Sequence, residues 1–169
     1  MRIGKLSFFA ALALLLGSAP LPRAQFDRTQ FDTDAPGKPR TYVLYTAEPQ
    51  AIPAGKRAVL ELRFQVVQGY HVNSHTPKSQ YLIPTVLTLQ AANGVKADTL
   101  EYPPGKLYSF AFDPTDKLDV YAGNFSVKLP VVAARGDHTL DGTLRYQACD
   151  NASCYPPRTL PVKVVFTAK

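Results

Sequence analysis

The chain has 169 residues, 46% of them apolar, which is enough for one globular domain with a full hydrophobic core and excludes a disordered chain. Frequent Pro and Gly, together with 9 Tyr and 9 Phe, supply many chain breaks and many residues that favour strands. No long stretch has the spacing of an amphipathic helix, so the composition predicts an all-β fold. The formal charge of +6 comes from Lys and Arg residues that are scattered along the chain without a basic run, which argues against a nucleic-acid partner.

Residues 1–24 have the features of a secretory signal peptide. Two basic residues lie among the first five, an apolar stretch runs from Leu6 to Leu16, and small residues follow. We expect cleavage after Ala24, with cleavage after Ala19 or an uncleaved anchor helix as alternatives. The apolar stretch is short for a bilayer span. We therefore predict an exported, periplasmic domain that keeps 16 basic and 13 acidic residues, a net charge of +3.

Residues 25–40 are polar and rich in Asp, Thr and Pro, which predicts a flexible arm ahead of a domain over residues 41–169. The clearest alternation in that domain runs from Val59 to Val67, where every second residue is apolar and faces a core. Strands are predicted at Tyr42 to Ala47, Val59 to Val67, Tyr70 to Asn73, Leu82 to Leu89, Val95 to Tyr102, Leu118 to Tyr121, Phe125 to Val132 and around the cysteines. Turns are predicted at residues 51–55 and 136–142. Eight or nine strands without a helix predict a two-sheet antiparallel sandwich.

A long connection follows Pro103-Pro104-Gly105. Its sequence, LYSFAFDPTDKL over residues 107–118, predicts a segment too irregular for a strand and too aromatic for an ordinary solvated loop. Exposed rings at Tyr108, Phe110 and Phe112 would need a surface to cover.

Cys149 and Cys154 are the only cysteines, and four residues separate them near the junction of two predicted strands. In an oxidising compartment such a pair normally forms a disulfide. A ring this small stabilises a fold by about 2 kcal/mol, against about 5 kcal/mol for a loop of about 100 residues, so the bridge is poorly placed as a staple. The small or polar residues 150–153 suit a tight turn, and Tyr155-Pro156-Pro157 stiffens its exit. The sequence predicts a short, stiff, exposed ring that another thiol can reach.

The run YQACDNASCYPP, residues 146–157, resembles the active-site segment of the N-terminal periplasmic domain of the thiol:disulfide interchange protein DsbD, the disulfide bond corrector family. The shared pattern is a Tyr-Gln pair, a small residue, two cysteines four or five residues apart, an apolar or aromatic residue, and Pro-Pro. A weaker likeness extends to GYHVN, residues 69–73, and to DVYAGNFSVKLPV, residues 119–131. The resemblance covers most of the expected mature chain.

The resemblance implies an immunoglobulin-like sandwich that passes reducing equivalents between periplasmic partners. The implied partners are thioredoxin-like proteins, with disulfide isomerases or cytochrome-maturation proteins as acceptors. Because the second cysteine of the family forms the mixed disulfide, Cys154 would attack the partner and Cys149 would resolve the complex. Membrane-bound members of the family continue into a multi-helix membrane domain and a thioredoxin-like domain, and the sequence up to Lys169 has neither. We therefore expect that a separate membrane electron transporter reduces this domain, or else that the domain is a binding module that has kept the scaffold.

The resemblance also implies a cap loop over the cysteines, for which residues 108–113 are the best match. Phe110 or Phe112 would be the covering ring, unless these rings fill the end of the core. His71 and Asn73 share one strand face where the family has aromatic residues, so they either tune thiolate formation or are plain surface residues. The remaining predicted surroundings of the cysteines are Tyr70, Tyr146 and Tyr155.

Two other classes of function stay open. A structural or adhesive sandwich with an inert hairpin disulfide explains all but the specificity of the cysteine segment. A metal site could use His71, His75 and the two thiols, although the spacing of the histidines suits a helix face better than a strand and a loop. We predict no metal and no cofactor.

Overall fold

A computed structural model of the protein describes residues 41–110 and 113–169. The predicted signal peptide and arm, and Phe112, lie outside the described residues. Every element in the described part is a strand, which confirms the predicted all-β class. The twelve strands are β1 Val43–Thr46, β2 Gln50–Ile52, β3 Arg57–Val66, β4 His71–Asn73, β5 Val86–Leu89, β6 Val95–Ala97, β7 Lys106–Phe110, β8 Asp113–Tyr121, β9 Asn124–Ala133, β10 Gly136–Tyr146, β11 Ala148–Cys149 and β12 Arg158–Ala168.

The strands form three sheets of four, in the orders β1-β3-β9-β6, β2-β12-β10-β5 and β11-β4-β8-β7. Each pairing described is antiparallel, apart from β2 and β12, which run parallel. Two sheets were predicted. The third sheet contains the cysteine strand β11 together with β4, and these short strands are defined by their pairing with distant segments more than by their own sequence.

The core lies where the alternating faces of β3, β9, β10 and β12 meet. On β3 the predicted inward side chains are at most 2% exposed: Leu60, Leu62, Phe64 and Val66. They oppose equally apolar residues of β9, with Leu129 across from Leu60 and Val127 across from Leu62. Burying such side chains stabilises a fold by about 1.5 to 3 kcal/mol each. Neither cysteine belongs to this cluster of packed side chains.

Two predicted strands are shorter in the structure, at Val86–Leu89 and Val95–Ala97, and three segments predicted as loop or turn are wholly or partly strand. The predicted loop after Gly105 is a strand hairpin, because Lys106–Phe110 pairs with β8 across a register irregularity between Tyr108 and Phe110. The predicted turn at 136–142 is the beginning of β10, whose eleven residues all pair with β12. Within the predicted turn at 51–55, the first two residues lie in β2. The extended backbone of β2 and β10 is fixed by pairing with β12, and that of β7 by pairing with the next strand, β8.

Gly69 brings the chain from β3 into β4. Its φ of 85° lies in the left-handed region, which glycine adopts without a steric penalty, as the predicted break there requires. No helix long and apolar enough to cross a bilayer occurs in the described part of the chain.

Candidate redox site

The two cysteines oppose each other across a tight turn between β11 and β12. Cys149 and Cys154 form a disulfide with a sulfur-to-sulfur distance of 2.01 Å and a Cα-to-Cα distance of 3.9 Å. Directly after the bridge, the N–H of Tyr155 donates to the carbonyl of Ala148 at 2.8 Å. The bridge therefore closes the end of a hydrogen-bonded hairpin, at the strand junction that the sequence predicted.

The two sulfur-bearing residues differ in burial. Cys149 is 0% exposed, because it belongs to β11 and pairs with His71 of β4. Cys154 is exposed, as are the turn residues 151–153 before it. The prediction of an exposed ring is thus right for the turn and wrong for Cys149. An incoming thiol has access to the Cys154 side of the bridge.

The carboxylate of Asp150 shapes the turn. One oxygen accepts hydrogen bonds from the N–H groups of Ala152 and Ser153, both at 2.8 Å, and the other accepts from the Tyr155 hydroxyl. This hydrogen bond to a negative acceptor raises the pKa of Tyr155, so the phenol remains a donor at neutral pH. The site prediction omitted Asp150, although an Asp at the first position of a turn commonly bonds the backbone two residues on.

Four tyrosines pack behind the disulfide. The ring of Tyr155 stacks on that of Tyr42 at 5.1 Å with the planes 5° apart, and Tyr70 lies 6.1 Å from Tyr155. Tyr146, which is 1% exposed, accepts a hydrogen bond at 3.3 Å from the N–H of Tyr42. The structure therefore brings the predicted residues Tyr70, Tyr146 and Tyr155 into one cluster, and adds Tyr42 to it.

A buried amide pair links the cysteine segment to its neighbours. Asn73, which is 0% exposed, donates through Nδ2 to the side-chain oxygen of Gln147 at 3.2 Å and to the carbonyl of Ile83 at 3.0 Å. Gln147 in turn donates to the carbonyl of Tyr155 at 3.2 Å. Asn73 is thus a buried structural residue and not a surface one. Gln147 was missed as a site residue although the Tyr-Gln pair belongs to the family pattern.

The β7–β8 hairpin covers the buried side of the site. The ring of Tyr108 lies 4.0 Å from the His71 ring, and its hydroxyl donates to Oδ1 of Asn151 in the cysteine turn at 2.9 Å. Phe110, the predicted covering ring, is farther away, with its centroid 6.0 Å from that of His71. Tyr108 thus joins this hairpin both to His71 and to the cysteine turn.

His71 lies beneath this cover. It is 3% exposed, and its Nε2 atom is buried with no hydrogen-bond partner among the described residues. Burial lowers the pKa of His71, and the charge of Asp150 acts in the opposite direction. The imidazole is therefore neutral at pH 7, and the surface alternative for His71 is wrong.

The geometry gives the metal alternative no support. Within residues 41–110 and 113–169, no group of three or more His, Cys, Asp or Glu side chains is placed to hold a metal. His75, the second histidine of that alternative, stacks on Tyr102 at 3.7 Å and bonds the carbonyl of Thr85 through Nδ1 at 3.0 Å. Its ring is thus engaged away from the disulfide.

The described residues form a β-sandwich whose closing hairpin carries a disulfide that is buried at Cys149 and exposed at Cys154. The chain belongs to the family described as "Thiol:disulfide interchange protein DsbD, N-terminal", whose model matches residues 43–165. The predicted immunoglobulin-like sandwich is thereby confirmed. Family membership and the Cys149–Cys154 disulfide together support a role in thiol-disulfide exchange.

Solved structures of this family are similar to the chain at low identity. The reduced DsbD N-terminal domain of Neisseria meningitidis is 19% identical, with a TM-score of 0.42, and the match covers 64% of this chain and 81% of that one. The N-terminal periplasmic domain of ScsB from Proteus mirabilis is 12% identical, with a TM-score of 0.48 and coverage of 72% and 44%. A complex between the DsbD and PilB N-terminal domains of N. meningitidis gives 20% identity, a TM-score of 0.42 and coverage of 62% and 73%. No curated protein matches the sequence.

Proposed function

We propose that this domain is a periplasmic thiol-disulfide exchange module that carries reducing equivalents between thioredoxin-like partners through Cys149 and Cys154. The observation that carries the proposal is the asymmetry of the bridge, in which Cys154 is exposed at a turn and Cys149 is fully buried beside it. Exchange needs one sulfur that a partner can reach and a second thiol nearby to release that partner. A purely structural disulfide does not require one exposed sulfur and one buried sulfur.

The reaction runs in two halves, each conserving electrons. In the half-reaction that reduces the domain, a donor thiolate attacks the sulfur of Cys154 and the bond to Cys149 breaks. Cys149 leaves with the electron pair and gains a proton. A second donor thiol then displaces Cys154 as a thiolate. When the domain delivers electrons, the Cys154 thiolate attacks an acceptor disulfide, and Cys149 displaces the reduced acceptor by re-forming the bridge. Two electrons move in each cycle.

Three observations support the choice of compartment and partners. The apolar leader of residues 1–24 has the pattern of an export signal. The ScsB relative is described as a periplasmic domain, and a DsbD N-terminal domain has been solved in complex with another domain, that of PilB. We propose that a separate membrane electron transporter supplies the electrons and that isomerases or cytochrome-maturation proteins receive them.

A redox titration separates this proposal from an inert structural bridge. The processed protein is equilibrated with dithiothreitol or glutathione at graded potentials, and the fraction of free thiol is measured by alkylation after acid quenching. We expect a midpoint potential above about −300 mV, within reach of thioredoxin-like reductants. A Cys149→Ser, Cys154→Ser variant gives the baseline. A midpoint below that value favours the structural or adhesive sandwich and contradicts the proposal.

A further inference from the structure

His71 and Cys149 are neighbours on one face of the third sheet. They are directly opposed in the antiparallel pairing of β4 with β11, and side chains at such positions point the same way with Cβ atoms about 5 Å apart. The pairings Asn73 with Val120 and Tyr108 with Leu118 place four more side chains on that face. The imidazole and the buried sulfur are therefore carried on the same face of this sheet by directly opposed residues, and the ring of Tyr108 packs on the imidazole.

The buried Cys149 thiol must lose its proton before it can act as a nucleophile. Cys149 is 0% exposed, so water cannot readily take the proton when the thiol must become a nucleophile, and an apolar environment disfavours the thiolate. His71 has a buried Nε2 atom without a hydrogen-bond partner among the described residues. An unpaired buried nitrogen is costly to keep, which calls for an explanation in function.

We propose that His71 is the proton acceptor for Cys149 during release of the partner. This inference rests on the proposed exchange function. As the Cys149 sulfur attacks Cys154 in the mixed disulfide, its S–H bond breaks and the proton passes to the imidazole. The Cys149–Cys154 bond forms, the bond from Cys154 to the partner breaks, and the partner leaves as a thiolate with the electron pair. In the opposite direction, the imidazolium returns the proton to the departing Cys149.

The charges around the imidazole suit this task. From the cysteine turn, Asp150 faces His71 and favours the imidazolium once it has formed. From β7, Tyr108 contacts the ring, while Lys106 shares the face farther along, across from Val120. The β8 side chains described on this face, Leu118 and Val120, carry no charge and are at most 4% exposed. The imidazole is therefore neutral at rest and has a carboxylate nearby to stabilise its charged form.

The test follows the two steps of exchange with the aromatic disulfide DTNB. The reduced, processed protein is mixed with DTNB in a stopped-flow instrument. Attack by Cys154 releases one thionitrobenzoate, and resolution by Cys149 releases a second. In the wild-type protein we expect the rate constant of the second phase to be independent of pH above the range in which histidines ordinarily titrate, and to decrease at lower pH. In His71→Gln we expect the second phase at pH 7 to slow by about 100-fold, the low end for general base catalysis.

The shape of the pH profile distinguishes proton transfer from a structural effect. Without the base, the second phase of His71→Gln should rise about tenfold per pH unit until the thiol itself ionises, at about pH 8.5 or above. The matched control is His138→Gln, since the His138 ring stacks on Phe166 outside the site, and it should leave both phases unchanged. A His71→Gln profile parallel to that of the wild type overturns the proposal.

A second measurement does not need the His71 variant to fold. Nuclear magnetic resonance follows the His71 ring signals of isotope-labelled Cys154→Ser protein as the pH is varied. We expect these signals to respond to the titration of Cys149, and we expect no such response in the Cys149→Ser, Cys154→Ser variant. Identical titration curves in the two proteins contradict the inference. A wild-type protein whose disulfide resists reduction would instead contradict the exchange function itself, so the two failures are distinguishable.

Discussion

Replacing Cys149 with alanine is expected to turn the domain into a trap for its partner. The exposed Cys154 can still attack, but no neighbouring thiol remains to release the mixed disulfide. We expect near-complete conversion to a covalent complex when Cys149→Ala is mixed with a single-cysteine thioredoxin whose thiol has been activated with thionitrobenzoate. Non-reducing electrophoresis measures the complex, and the released thionitrobenzoate gives its rate.

The matched variant is Cys154→Ala, which keeps the other thiol. Cys149 is 0% exposed, so we expect little or no complex within the time that Cys149→Ala needs for completion. Both variants lack the bridge equally, and a difference between them therefore reports access to the sulfur. Equal trapping by the two variants would show that the assignment of the attacking thiol is wrong.

The largest loss of stability at the site is expected for Tyr155→Ala. The ring is 9% exposed and stacks on Tyr42, and its hydroxyl donates to Asp150. Removing a packed aromatic ring typically costs about 3 kcal/mol or more in free energy of unfolding. Urea unfolding of the disulfide-bonded protein measures this as a lower midpoint at an unchanged slope.

Tyr155→Phe separates the ring from its hydroxyl. The stacking on Tyr42 remains while the hydrogen bonds of the hydroxyl, including the one to the Asp150 carboxylate, are lost, so we expect a decrease of about 1.5 kcal/mol. A loss as large as that of Tyr155→Ala would assign the stability to the turn hydrogen bond in place of the aromatic cluster. A negligible loss in both variants would mean that the cluster does not support the cysteine hairpin.

Local sequence predicted those strands in which the polarity of each residue indicates whether its side chain faces the core or the solvent. On β3 the alternation of apolar and polar residues is sufficient, because one side of the strand is buried and the other is wet. The cysteine turn was also predictable, since small polar residues and Pro-Pro act within a few positions. The first half of β10, strand β7 and the beginning of β8 were not, because their extended conformation depends on pairing with another strand and not on local alternation.

The candidate site shows the same division. Cys149, Cys154, Tyr146 and Tyr155 belong to one continuous motif, and a reading of residues 146–157 finds them all. The contacts that complete the site join distant positions. Tyr108 bonds Asn151 across 43 positions, and Tyr42 bonds Tyr146 across 104.

Burial was the property that local sequence predicted least well. His71 and Asn73 were expected to lie on one strand face, but polarity alone left open whether that face was wet. The β7–β8 hairpin packs over His71, and the amide network around Gln147 encloses Asn73. Cys149 is likewise buried, in its pairing with His71 on β4, although the turn-forming residues 150–153 had suggested exposure. These three cases depend on contacts between residues that are distant in sequence.

The central claim is that the Cys149–Cys154 bridge opens and closes in the folded domain. Nuclear magnetic resonance of the processed protein, with cysteine Cβ carbons labelled, tests this most directly before and after addition of dithiothreitol. We predict that both Cβ signals move to the thiol position while the dispersed amide signals of the β-sheets persist, because the core on β3 and β9 does not depend on the bridge. Cβ signals that stay at the disulfide position until the sheet signals collapse would contradict the account.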